Sequence, residues 1–345
     1  MLRKSKGGSW NADSPMFTMF YLAKNFNIEL LLFTPRDIDF DNKTVNATIL
    51  EGTERIQKTV PLPKIIDNPA SLFHGTYGEQ LKTLDGDYFF LRHAEYTSKP
   101  GIYNLLLKDG RYKDFLIDTH TVNNFAHFLK LFGQYGNDVI LKPAGGNEGK
   151  GVARITSDGS QCVFNLKNDK VTFKTVDDLQ KFYDENFSAV RYVLQPYITS
   201  RTHQGNPFDI RIHTRRGAGG KFKVSPYPRI GNENGVVSNV GSGGYTMDFK
   251  NFLKAEFGDD WKMLHDKIMA LGNDFPEYYQ KLFKSELFDV GIDLGIQKRG
   301  DTYDLRIFEV NTYLGGSFIR VEDSITRFEY YRYVAEKLRE SGIDV

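Results

Sequence analysis

Four segments in the second half of the chain constrain its fold more than any other feature. FDIRIHTRR (208–216) and KFKVSPYPRIG (221–231) flank the glycine-heavy turn GAGG, and LFDVGIDLGIQ (287–297) and TYDLRIFEVN (302–311) are joined by KRGD. Strand-like runs joined by so few residues predict two antiparallel hairpins. Helical patterns surround them: 248–286 is largely helical, and a last helix runs from about Glu322 to Ser341 with Gly342 as its stop. These segments imply an α+β chain with an antiparallel core, preceded by a small α/β domain.

The first half is more broken. A helical stretch, Met16 to Asn25, leads to IELLLFT (28–34), an apolar run expected as a buried strand. PLPKIIDNP then interrupts the chain with prolines, and KPGIYNLLLKDGRYKDFLIDT (99–119) reads as a helix broken near Gly110. NNFAHFLKLFGQYG (123–136) is an amphipathic helix stopped by glycine. VARITSDGSQCVFNL (152–166) and DKVTFKT (169–175) look like hairpin strands, and the helix DDLQKFYDENF (177–187) precedes the strand RYVLQPYI (191–198).

Composition excludes some classes. A formal net charge of +1 over 345 residues gives no global field for nucleic acid or a membrane surface. The single Cys162 rules out an internal disulfide and an all-cysteine metal site, and it fits a reducing, cytoplasmic setting. The start MLRKSKGGSW has no apolar run behind it, so no signal peptide is read, and no window approaches a membrane span. None of the seven histidines forms HExxH, and GxSxG is absent.

Three constellations could carry chemistry. The first is DVILKPAGGNEGKGVARI (138–155), with Gly145, Gly146, Gly149 and Gly151 behind Lys142. It is not a Walker loop, because three residues separate Gly145 from Gly149 and Lys150 is followed by Gly151. Nor is it a dinucleotide turn, since Arg154 stands where the third glycine belongs. Pro143 keeps Lys142 extended. Lys142 either clamps phosphate together with the loop amides or is a solvated lysine before a loop.

The second is TYDLRIFEVN, whose alternation places Leu305, Ile307, Glu309 and Asn311 on one face. With Asp293 of the preceding strand they offer two carboxylates and an amide, a donor set suited to magnesium; otherwise they are unrelated edge carboxylates. In the third, Asp209, Arg211, His213 and Arg215 share a face, and residues 201–229 carry seven Lys or Arg against one Asp. That is a positive wall for a triphosphate and an acidic substrate, or else a solvated sheet face. RIGNENGVVSNVGSGG adds Arg229, Asn239, Gly243 and Gly244.

Read in order, SKPGIYNLL, VILKPAGGNEGKGV, VLQPYI, FDIRIHTRR, PRIGNENGVVSNVGSGG, GIDLGI and FEVN resemble the ATP-grasp superfamily. The chain is most similar to its YheC/YheD-like, endospore coat-associated branch. The resemblance runs from Lys99 to the C-terminus. It implies an ATP-grasp fold, two α+β subdomains sandwiching ATP, over 98–198 and 199–345, after a small α/β domain at 1–97.

Residue by residue, the resemblance implies that Lys99 and Lys142 hold ATP phosphates and that Gly145, Gly146, Gly149 and Gly151 form a closing loop. Gln195, Tyr197 and Ile198 would be the adenine hinge and Asp209 the ribose contact. Arg211 and Arg229 would touch the transferred phosphoryl group, Asn239 would serve the substrate-side loop, and Asp293, Glu309 and Asn311 would bind two magnesium ions, with manganese able to substitute. The implied activity is an ADP-forming carboxylate–amine ligase working through an acyl phosphate. A phosphotransferase and a non-catalytic ATP-binding coat protein are the alternatives. The partners are then ATP, a carboxylate and an amine, small or peptidic, with no nucleic acid, no membrane, and a homodimer compatible. SRTHQGNPF (200–208) is longer than in some relatives, and TYLGGSF (312–318) departs from amino-acid ligase endings.

Overall fold

Both expected hairpins form and join into one four-stranded antiparallel sheet. The computed structural model describes residues 15–68, 72–73, 75–91, 99–145, 151–166, 169–232, 235, 238, 243–311 and 320–345. In chain order, helix α1 (Pro15–Asn25) is followed by strands β1 (Ile38–Asp39), β2 (Thr44–Glu51), β3 (Glu54–Pro61) and β4 (Ile65–Ile66). Next come α2 (Gly78–Lys82), β5 (Phe89–Phe90), α3 (Lys99–Asp109), β6 (His120–Val122), α4 (Phe125–Gln134) and β7 (Asp138–Pro143). The middle holds β8 (Ala153–Ser157), β9 (Cys162–Leu166), β10 (Asp169–Phe173), α5 (Val176–Phe187) and β11 (Tyr192–Pro196). The rest is β12 (Phe208–Arg216), β13 (Phe222–Ile230), α6 (Phe249–Phe257), α7 (Trp261–Gln280), β14 (Asp289–Arg299), β15 (Thr302–Asn311) and α8 (Arg320–Glu340).

The strands assemble as β1-β2-β3, β4-β5, β10-β9-β8-β7-β11-β6 and β13-β12-β14-β15. One expected element is lost. IELLLFT does not make a strand; it carries isolated bridges at Leu32 and Phe33, that of Leu32 being to Thr48 with backbone bonds of 3.0 and 2.8 Å. Its apolar residues are instead divided between two cores: Leu31 and Phe33 join the β2–β3 cluster, while Leu30 joins the cluster under α8. An apolar run can be buried without a ladder partner, so hydropathy alone overstated it.

Alternation decides which face of each large sheet is buried. In the four-stranded sheet Phe208, Ile210 and Ile212 of β12 and Val290, Ile292, Leu294 and Ile296 of β14 pack on α6 and α7. Close approach of α7 requires Gly272, where a Cβ would press on Val224 and Ile212. The intervening residues of β12 and β14 therefore point away from this core. In the six-stranded sheet Val139, Leu141, Ile155, Phe164 and Leu194 pack on α4 and α5, with Phe128 and Tyr183 at the centre. Caps sharpen both helices: Asn124 accepts from the His127 amide, and Thr175 from that of Asp178.

Helix α8 covers part of the opposite face of the four-stranded sheet. Phe328, Tyr330 and Tyr331 form one cluster with Met19, Phe20 and Ala23 of α1 and with Phe288. The first and last helices thus share a core. Among the described residues no helix is long and apolar enough to cross a membrane.

Candidate functional site

The site grows from the face of the four-stranded sheet that turns away from α6 and α7. Cross-strand register puts Asp209 opposite Arg229, Arg211 opposite both Tyr227 and Asp293, and Asp293 opposite Glu309. These neighbours form a continuous charge ladder. Arg229 grips Asp209 with two bonds of 2.7 and 2.6 Å and reaches Asp293 at 2.9 Å. Arg211 forks onto the same Asp293, Nε to Oδ1 and Nη2 to Oδ2, the latter at 3.0 Å. Ser238 donates to Asp209 at 2.6 Å.

This is no solvated sheet face. The side chains of Arg211, Arg229 and Asp293 are 13%, 15% and 9% exposed. Burial favours the neutral form of Asp293, yet the charges of Arg229 and Arg211, with their hydrogen bonds, outweigh it and hold its pKa down at about 2. Burial likewise opposes charge on Arg229, but Asp209 and Asp293 hold its pKa well above the usual arginine value. Asp293, Arg211 and Arg229 are therefore charged together at neutral pH. Along the same face of β12, His213 lies 3.0 Å from Asp323 of α8, and Arg215 bonds Asp289 and Asp323. Burial pushes His213 below the ordinary imidazole range.

The expected face for Glu309 and Asn311 is corrected by a bulge. Leu294 pairs with Ile307, but Asp293 pairs with Glu309, so Phe308 is an extra residue. Leu305, Ile307 and Val310 are core residues, while Glu309 and Asn311 are only half-buried. The four residues Leu305, Ile307, Glu309 and Asn311 therefore do not share a face. The inserted residue reverses the alternation and turns Glu309 and Asn311 to the Asp293 side. The Phe308 ring lies over Gly295, where any Cβ would collide with it. Period-two reasoning cannot detect a bulge, and this one has no sequence signal.

Lys142 comes from the other sheet. It lies on the half-exposed side of β7 with Ile140, and its Nζ donates to the Phe308 carbonyl at 3.4 Å. Leu116, in the segment between α3 and β6, also bridges Ile307 of β15. Lys142 and the charge ladder thus meet at the bulge. Gly145 is exposed just beyond the end of β7, and Gly151 (φ +74°) lies against Pro143. Gly146, Gly149 and Asn239 lie outside the described residues, and Lys99 opens α3.

Gln195, Tyr197 and Ile198 lie at the end of β11 and just beyond it. The buried Gln195 side chain donates to Thr119 Oγ1 at 2.6 Å. Tyr197 is fixed on three sides. Its amide donates to the Asp138 carbonyl, the Arg154 guanidinium stacks 3.6 Å above its ring, and its hydroxyl accepts from Arg201 Nε at 3.0 Å. Arg154 is itself held by Asp138 at 2.9 and 2.8 Å. Ser238, Phe308, Arg154 and Arg201 are the contributors that sequence reasoning missed.

Asp293, Glu309 and Asn311 are hard oxygen donors on one face, few enough for a magnesium ion that keeps water and phosphate ligands. Among the described residues no group of three or more His, Cys, Asp or Glu forms an all-protein cage. The donor set therefore fits magnesium, with one condition: both oxygens of Asp293 already hold guanidinium groups, so a cation there competes with Arg211 and Arg229.

Comparison with known proteins agrees with this architecture. The chain is 23% identical over 330 residues to the endospore coat-associated protein YheD of Bacillus subtilis (strain 168), a match covering 89% of this chain and 70% of that protein. It is 22% identical to YheC of the same organism, covering 83% and 81%. Among solved structures it resembles the ADP complex of N5-carboxyaminoimidazole ribonucleotide synthetase at 14% identity and a TM-score of 0.41. That likeness takes in 74% of this chain and a little over half, 56%, of that structure. The family model described as YheC/D like ATP-grasp matches residues 89–337, and the chain belongs to that family.

Proposed function

We propose that this protein is an ATP-dependent carboxylate–amine ligase. The carboxylate attacks the γ-phosphorus of ATP, breaking its bond to the bridging oxygen and releasing ADP. An amine nitrogen then attacks the acyl phosphate, phosphate leaves, and the amine gives up its proton. The observation that carries this reading is the meeting of Lys142 with the Asp209–Arg229–Asp293–Arg211 ladder across two sheets. Phosphoryl transfer needs positioning and charge neutralisation more than covalent help from the protein.

In this reading 98–198 and 199–345 are the halves of the nucleotide cleft, and 1–97 serves the other substrates. Lys142, Lys99 and the Gly145–Gly151 loop hold phosphates, with Gly146 and Gly149 as loop members. Gln195, Tyr197 and Ile198 hold the base, and Asp209 the ribose. Arg211 and Arg229 stabilise charge on the phosphoryl group in flight, with Asn239 on the substrate side. Asp293, Glu309 and Asn311 would hold magnesium, which supplies charge neutralisation of the triphosphate.

The test is incubation with ATP, magnesium and a panel of carboxylates in hydroxylamine. Acid-dependent ADP release with hydroxamate formation is expected, and Glu309→Gln should lower it by about 100-fold or more. A stable phosphorylated product formed with no amine present would instead make the protein a phosphotransferase. ATP binding without ADP formation from any acid would leave a non-catalytic role.

A further inference from the structure

The side-chain amide of Gln195 has two chemically opposite ends, a donor and an acceptor, and its surroundings decide which of them a ligand would meet. The residue is 8% exposed. Tyr192 and Leu194 of β11 belong to the core under α4 and α5, so by alternation Gln195 takes the other side of the sheet. Register sets it opposite Ile140, on the half-exposed side of β7 that carries Lys142.

Thr119 fixes the amide. Its hydroxyl stands 2.6 Å from the Gln195 side chain and 2.7 Å from the Ile117 carbonyl. A carbonyl only accepts, so the single hydroxyl proton goes to Ile117 and Oγ1 offers Gln195 a lone pair. Tyr103 of α3 also meets the Thr119 amide and hydroxyl, and a proton given to it would be equally lost to Gln195. The group of Gln195 that faces Thr119 is therefore Nε2, and Oε1 is turned away from it. A flipped amide would require the hydroxyl to abandon the buried Ile117 carbonyl. Nor is Thr119 free to drift: Leu116 bridges Ile307 on one side of it, and His120 pairs with Leu194 on the other. Among the described residues no group donates to Gln195 Oε1.

We propose that Thr119 is a positioning residue that sets the base specificity of the nucleotide site, by holding Gln195 with its acceptor toward the base. This rests on the reading of Gln195 as a base contact. A purine whose 6-substituent is an amine, as in adenine, donates to Oε1. A purine with a carbonyl there, as in hypoxanthine or guanine, sets acceptor against acceptor and leaves both unpaired. The discrimination thus originates in a hydroxyl that touches neither base.

The experiment is calorimetry on the full chain with magnesium and two non-hydrolysable nucleoside triphosphates, one carrying adenine and one hypoxanthine. The quantity read is the ratio of their affinities, to which contacts elsewhere on the base contribute alike in every variant. The wild type should favour adenine by at least about tenfold. Thr119→Val replaces the hydroxyl by a methyl and lets the amide turn. Its ratio should fall by about tenfold through tighter hypoxanthine binding, a gain that a loosened fold would not produce. Thr119→Ser, which keeps the hydroxyl, should keep the wild-type ratio. If Thr119→Val does not fold, Thr119→Ala carries the test. A wild-type ratio in the variant without the hydroxyl overturns the proposal, as does a ratio lost equally in Thr119→Ser, or a wild type with no preference. Failure of the wild type to bind the adenine triphosphate removes the nucleotide reading itself and this role with it.

Discussion

Asp293 is the residue through which the ladder holds together, because two guanidinium groups share its oxygens. Removing one partner from a buried charged set leaves charge without compensation and typically costs about 3–5 kcal/mol. Arg229→Gln withdraws a cation from both Asp209 and Asp293, so a loss of that order at pH 7 is expected in urea denaturation. The pH dependence follows from the direction of the shift. Asp293 is held at about 2 from an ordinary value of 3.8, so its stabilising contribution is complete above pH 4 and is lost as the pH falls through 2. The gap between wild type and Arg229→Gln should therefore narrow when denaturation is repeated at pH 3. A gap that does not change with pH would show that Asp293 ionisation is not what Arg229 stabilises. At this scale the alternation of β12 was readable, and it correctly set Asp209, Arg211, His213 and Arg215 on one face. Their pairing was not readable, because register between distant strands is fixed by the packing of whole sheets.

The bulge in β15 is the element that decides what the ladder faces. With Phe308 inserted, the strand keeps Ile307 and Val310 in the core and still turns Glu309 and Asn311 to the Asp293 side. Its ring needs the space above Gly295, which explains a glycine in a strand otherwise rich in branched residues. Gly295→Ala should thus destabilise the protein by about 1–3 kcal/mol through overpacking. In the Phe308→Ala background the same substitution should cost less than about 0.5 kcal/mol, since its collision partner is gone. Equal costs in both backgrounds would mean that the ring is not what Gly295 accommodates. Element type was legible wherever the pattern was long: α4, α5, α7, α8 and the two hairpins stand where the periodicity put them. It failed at IELLLFT and at the bulge, which are decided by neighbours remote in sequence.

At the scale of the molecule, a buried chain of charges ties the N-terminal segment to the sheet that carries the ladder. Asp67, directly after β4, accepts from Arg327 and, at 2.5 Å, from the Tyr331 hydroxyl, both on α8. Asp323 of the same helix bonds Arg215 of β12, which also reaches Asp289 of β14 at 3.1 Å. Burial disfavours the Asp323 carboxylate, but the nearby His213 imidazole and the charges of Arg215 and Arg327 keep it well below the usual range. None of this was legible beforehand, because the partners lie up to 264 positions apart and Asp67 sits in a proline-broken stretch. The apolar cluster shared by α1 and α8 follows the same path. The N-terminal segment should therefore unfold with the rest in one transition. Asp67→Asn keeps the side-chain shape but leaves Arg327 without its carboxylate, and a loss of about 3–5 kcal/mol is expected. Urea denaturation followed by pulse proteolysis should show cleavage within 30–90 moving to lower urea than cleavage within α7. If both regions keep the wild-type midpoint, the coupling resides in the apolar cluster of α1 and α8 alone, and the charges merely accompany it.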